Sequence, residues 1–179
     1  MARALLIKLH LYCSAFFAAA IILVAVSGGL YLIGIKGTIE RTPVGTLATG
    51  QQLLLDPSEA KVQAALASLG VSDFEFEYVK QKGSQLITRP TTRSFYTLDI
   101  NGDEAVVQYN EPSLQKRMIE LHMGHGPTAY KTYQQVFAAG MLFIILTGLW
   151  LGLSSARLRI PTAVISGSGV ALFLWLSLF

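Results

Sequence analysis

Apolar and polar residues are sorted into long blocks along this chain. No Lys, Arg, Asp or Glu occurs from Leu9 to Ile35, from Tyr133 to Leu153, or from Ile160 to Phe179. A bilayer core of about 30 Å takes about 20 helical residues to cross. In lipid each such run must be a helix, because every backbone N–H and C=O needs a partner inside its own segment. The blocks therefore predict three transmembrane helices. The apolar stretch of the first is 27 residues, well beyond the roughly 7–15 of a secretory signal, so it reads as a retained anchor.

Between the first and second runs, residues 36–131 change period. Asp56-Pro57-Ser58-Glu59 combines a cap, a proline and an early acid, and predicts a helix to Leu69 that stops at Gly70. Val62, Ala65, Leu66 and Leu69 form its apolar stripe. Phe74–Val79 alternates aromatic and acidic residues, as a half-buried strand does, and Lys82-Gly83-Ser84 turns it back into Gln85–Thr88. Phe95–Ile100, Asn101-Gly102 and Glu104–Tyr109 predict a hairpin with a type I′ turn. After Pro112 a further helix is predicted, with Leu114, Met118, Leu121, His122 and His125 on one face.

The fold class is thus an α-helical membrane protein with three transmembrane helices and a small extracytoplasmic α+β domain between the first and second. Its segments are a tip and first helix (1–35), the α+β domain (36–131), a second helix (132–153), a turn (154–159) and a third helix (160–179).

Charge orients this arrangement. All 11 acids lie between Glu40 and Glu120, whereas 1–35 and 132–179 hold only Arg3, Lys8, Arg157 and Arg159. Residues 36–131 carry 10 basic and 11 acidic groups, so the formal +3 of the chain comes from the membrane-flanking ends. By the positive-inside rule the N-terminus and the 154–159 turn are cytoplasmic, and the α+β domain and C-terminus lie outside. That localises the chain to a bacterial inner (cytoplasmic) membrane. Cys13 is the only cysteine, which excludes a disulfide framework, and there is no basic patch for nucleic acid. The short cytoplasmic segments contain no dinucleotide or phosphate-loop motif, so no flavin or nicotinamide domain is built in.

Candidate chemistry rests on the histidines. His10, His122 and His125 are the only three, at or near the two ends of apolar runs. Ionisable side chains at membrane depth are costly and point to function. Zinc needs three or four ligands converging on one place, and His10 lies a membrane span from the others. No nucleophile–acid pair accompanies them, so catalytic residues stay unassigned. Haem b needs only paired imidazoles in an apolar slot with small residues nearby, and these are supplied around Ser27-Gly28-Gly29 and Ala138–Gly140. Gly148 and Gly152 match a GxxxG helix-packing pattern. With His122 and His125 three residues apart on one helix face, both point the same way, and a bis-histidine haem at either level requires a second copy of the chain. That predicts a homodimer.

The motifs resemble the PepSY-associated transmembrane family. Leu9-His10 through Ser27-Gly28-Gly29-Leu30, then Leu121-His122-Met123-Gly124 and Thr147-Gly148-Leu149-Trp150, are similar to the family's LH…SG and LHxG…TGL steps. The hairpin YTLDINGDEAVVQY looks like the PepSY strand pair. The resemblance covers most of the chain and implies haem ligation by His10 and His122, with His125 departing from the usual pattern. It also implies a small inner-membrane ferric reductase supporting ferrous iron uptake, since some larger relatives are di-haem reductases of ferric siderophores.

The expected function is a haem b oxidoreductase that takes electrons from quinol or a separate flavin reductase and reduces ferric iron, free or chelated, on the periplasmic side. Glu111 and Glu120 are candidates for attracting the ferric cation, and Lys116 and Arg117 for pairing with haem propionates. The competing expectation is a non-redox, membrane-anchored PepSY module that binds and regulates or assembles a partner protein, its histidines serving as interfacial anchors.

Overall fold

The computed structural model describes residues 2–178; Met1 and Phe179, at the ends of the expected first and last segments, lie outside the described residues. Along the chain run α1 (Ala2–Leu32), β1 (Ile39–Leu47), α2 (Gly50–Leu55), α3 (Glu59–Ser68), β2 (Tyr78–Lys82), β3 (Gln85–Arg89), β4 (Phe95–Asn101), β5 (Glu104–Pro112), α4 (Leu114–His122), α5 (Thr128–Leu153) and α6 (Arg159–Leu178). The order is helix, sheet domain, then two helices. Three helices, over Arg3–Leu32, Thr128–Leu153 and Arg159–Leu178, are long and apolar enough to cross a membrane.

Two compact units divide the chain: Ile22–Gln134 forms one, and the flanking stretches form the other. In the flanking, helical unit, small residues set the approach of the helices. A Cβ on Gly140 of α5 would collide with the ring of Phe17 on α1, and Phe17 also meets Phe137 with ring centroids 5.6 Å apart. Gly152 faces Thr162 of α6, whose Oγ1 lies 2.6 Å from where a Cβ would stand. Arg3 donates to Ser154 Oγ at 2.7 Å and Leu151 O at 2.9 Å. Its charge therefore sits at the C-terminal end of α5, where carbonyls lack helical partners and the dipole is negative. None of the described residues of α6 is buried. A helix with Phe173 and Trp175 both more than half exposed is suited to an apolar surrounding and not to water.

The central unit is built on one antiparallel sheet in the order β1-β5-β4-β3-β2. Leu86, Leu98, Ile100, Ala105 and Val107 turn to one face, where Leu53 of α2 and Val62 and Leu66 of α3 complete the core. The stripe predicted for α3 is the one buried, with Ala65 and Leu69 packed at its margin, and Gly70 follows at φ +86°.

Two local readings change, and two elements had none. Strand β2 begins at Tyr78, and only Glu77 N reaches the next strand before it, at Arg89 O. Phe74 and Phe76 instead pack on the core, Phe74 lying edge-on to Tyr96 at 4.6 Å. The alternation there reports ring burial without a ladder. In the hairpin Asn101 pairs with Glu104, so the two loop residues are Gly102-Asp103 and only Gly102 has positive φ. A type I′ turn needs both, so glycine in first place gives the II′ arrangement instead. Finally, β1 and α2 carry no sequence signal. Strand β1 is an edge strand whose register shifts between Pro43 and Gly45, and α2 has six residues, too few for a helical period to show.

Leu66 has no solvent exposure. Leu66→Ala should therefore lower unfolding free energy by about 2–5 kcal/mol, read from chemical unfolding in detergent, whereas Leu55→Ala at an exposed position should change little.

Candidate functional site

Two imidazoles are held in the same way. His10 on α1 lies with Nδ1 2.9 Å from Thr147 Oγ1 on α5, and His122, the last residue of α4, lies with Nδ1 2.9 Å from Ser27 Oγ on α1. Both hydroxyls are buried. Each spends its proton on its own helix: Thr147 Oγ1 donates to Phe143 O at 2.6 Å and Ser27 Oγ to Val24 O at 3.3 Å. Such back-bonding to the preceding turn is how Ser and Thr behave inside helices. A hydroxyl whose proton is used this way offers a lone pair, so each ring must donate from Nδ1. That leaves Nε2 outside the bond, and Nε2 is the nitrogen through which an imidazole so oriented ligates a metal.

A glycine follows each hydroxyl. A Cβ on Gly148 would stand 3.3 Å from His10 Cε1, and one on Gly28 would stand 3.5 Å from His122 Cε1. Gly148, expected to serve helix packing, thus borders the His10 ring. His122 also borders an apolar hollow of about 440 Å³ shared with Gly28, Tyr31, Leu32, Ile119 and Met123.

His125 goes elsewhere. The predicted helix through His125 ends at His122, and Gly124 takes φ +76°. The two side chains therefore do not share a helix face. Leu114 is largely exposed, and the buried positions of α4 are Ile119 and Glu120. The amphipathic count failed because it assumed a helix past the LHxG glycine. His125 Nδ1 donates to Glu120 Oε2 at 2.7 Å.

Glu120, a candidate for drawing in ferric iron, is buried and fully engaged. Thr91 Oγ1 donates to it at 2.5 Å, Lys116 Nζ lies at 2.9 Å and Arg89 Nη1 at 3.7 Å. Burial pushes its carboxyl up, but the hydrogen bonds from Thr91, Lys116 and His125 and the Lys116 charge outweigh this and hold it below the usual carboxylate range. Glu111 is exposed on β5, 3.8 Å from Arg117. Lys116 is turned to Glu120 and Arg117 to Pro112 O at 2.9 Å. Among the described residues no three His, Cys, Asp or Glu side chains gather to hold a metal ion.

What sequence reasoning missed is that the Ser27 and Thr147 hydroxyls are the hydrogen-bond partners of the two imidazoles. Their signal was present, because each belongs to a hydroxyl–glycine step, but the step suggests close packing and says nothing of a hydrogen-bond partner far along the chain. Comparison with family models, curated proteins and solved structures returns no match to this chain.

Within the central unit Glu77 caps the start of α5: its Oε2 accepts from both Thr128 N and Thr128 Oγ1 at 2.7 Å. A carboxylate there satisfies an orphan donor of α5 and meets the positive end of its dipole. The Thr128 hydroxyl, then its amide, hold the Glu77 carboxyl below its ordinary 4.5. A carboxyl with a depressed folded pKa stabilises above its unfolded value and loses that contribution as pH falls through the folded one. Glu77 is exposed, so the effect is under about 1 kcal/mol. Glu77→Gln should lower the thermal midpoint slightly at pH 7, and the gap to the unmodified chain should narrow as pH drops below about 4.5.

Proposed function

We propose that this chain is an inner-membrane oxidoreductase that binds haem b through His10 and His122 and reduces ferric iron, free or chelated, on the periplasmic side. The observation that carries this reading is the repeated construction of the two imidazoles, each with Nδ1 bound to a buried hydroxyl and no described partner for Nε2. The donor set fits haem: an imidazole that donates from Nδ1 and leaves Nε2 open, a glycine bordering the ring, and at His122 an apolar wall. The likeness of the LH and LHxG steps to the PepSY-associated transmembrane family supports the same assignment.

In this reading His10 and His122 are the residues that would hold haem, each through Nε2. Thr147 and Ser27 keep the ring orientation and keep the proton off Nε2. The bound group supplies reversible one-electron chemistry. His125 also donates from Nδ1, to Glu120, but it lines the polar hollow of the sheet domain and not the apolar one beside His122. His10 and His122 would therefore be the residues that hold haem, with a second copy of the chain supplying the partner imidazoles in a homodimer. The basic residues around the apolar runs support an orientation with His10 toward the cytoplasm, where quinol or a separate flavin reductase would be the donor, and the sheet domain outside.

Purified in detergent after expression with ample haem, the protein should show a low-spin b-type spectrum that sharpens on dithionite reduction. His10→Ala and His122→Ala should each lose pigment. Ser27→Ala and Thr147→Val should weaken its retention by about tenfold or more, and His125→Ala should keep it. A colourless protein would remove the reading and leave the partner-binding module.

A further inference from the structure

The sheet face opposite the core is not an ordinary solvated surface. It forms a hollow of about 360 Å³, closed at one end by α4 and the His125 loop. Thr97, Asn110 and Arg89 on this face are all buried although polar. Arg89 spends one terminal nitrogen on Thr91 at 2.7 Å, yet its Nε is buried with no hydrogen-bond partner among the described residues. A buried guanidinium N–H without a partner is a costly feature that native structures seldom keep without a use.

The charge of the hollow says what would satisfy it. Arg41, Lys82, Arg89 and Lys116 line it against the two carboxylates Asp99 and Glu120. Glu120 is already matched by Lys116 and His125, and Asp99 accepts from Gln85 Nε2 at 2.6 Å. Among the described residues Arg41 and Lys82 have no ion pair. They stand on β1 and β2, the two outermost strands, which are four strand spacings of about 4.8 Å apart, roughly 19 Å. The positive charge is spread across the sheet and not focused at a point. Ile87 and Phe95 stand between these cations, offering apolar contact to a carbon skeleton.

From this we infer that the open sheet face is a binding site for a small organic polyanion of the polycarboxylate class. Nε is covered in the empty hollow, so a carboxylate arriving beside Arg89 turns the guanidinium until Nε donates to it, and Arg41 and Lys82 meet other carboxylates toward the edges. Guanidinium suits this role because its planar fork matches carboxylate geometry. The site stands without the redox reading. If that reading also holds, it assigns the substrate as an anionic ferric chelate and not the bare cation that acidic residues would draw.

The test is calorimetric titration of the full chain in detergent with citrate, and separately with inorganic phosphate, at constant ionic strength. Citrate should bind saturably and more tightly than phosphate. Arg41→Ala should weaken it by about tenfold, the worth of one charged hydrogen bond. Arg89→Lys, which keeps the charge beside Glu120 but removes Nε, should weaken it at least as much with circular dichroism unchanged. Should that variant misfold, Arg41→Ala and Lys82→Ala at exposed positions decide alone. Absence of saturable citrate binding, phosphate binding as tightly as citrate, or affinity unchanged in Arg41→Ala and Lys82→Ala would overturn the inference. His10→Ala and His122→Ala should bind citrate normally, so failure here and failure of the haem assignment are separately visible.

Discussion

An imidazole has two nitrogens and, when neutral, one proton between them. Where that proton sits decides whether the ring can ligate a metal through Nε2. In this chain the decision is made twice by a serine or threonine hydroxyl inside a helix. The hydroxyl proton goes to the carbonyl one turn back, leaving a lone pair that only an N–H can fill, and the histidine responds by donating from Nδ1. In an apolar surrounding that hydrogen bond is hard to replace, because no water competes for it. The hydroxyl–glycine pairing follows from the same need: the hydroxyl grips the ring, and the glycine leaves the space beside it.

The remainder of the structure can be read as support for those rings. Helix α1 carries one member of each pair, His10 for the first and Ser27 for the second. Within the helical unit, Gly140 against Phe17 and Arg3 at the end of α5 fix how α1 meets α5. Within the central unit, Glu120 draws Arg89, Thr91, Lys116 and His125 onto α4 and the turn that follows His122. The two acids that the sequence offered as cation attractors thus do different work: Glu120 is an internal clasp, and Glu111 is a surface carboxylate near Arg117.

How much was legible beforehand depended on the range of the signal. The three long apolar helices, the α3 stripe and the β4–β5 hairpin strands are written in local periodicity and were readable from it. Strand β1 was not, because an edge strand with Pro43 and a register shift at Gly45 has no alternation to detect. His10 and His122 could be singled out from their rarity and position. Their anchors could not, since Thr147 is 137 residues from His10 and Ser27 is 95 from His122. The helix through His125 was misread for a simpler reason: Gly124 at positive φ ends it, and a periodicity count does not see a backbone reversal. The hollow on the far sheet face was invisible for the same reason as the anchors, since Arg41, Lys82 and Arg89 share one face only once β1 and β2 become the two edges of one sheet.

The proton position on each ring is the most direct point of attack. Nitrogen NMR of the chain labelled at histidine and prepared without haem reports it from the ring shifts of Nδ1 and Nε2. His10 and His122 should both carry a proton on Nδ1, with Nε2 the unprotonated nitrogen of the neutral ring, and Ser27→Ala should release His122 alone from that form. Rings carrying their proton on Nε2, or exchanging freely between the two forms as in water, would contradict the account.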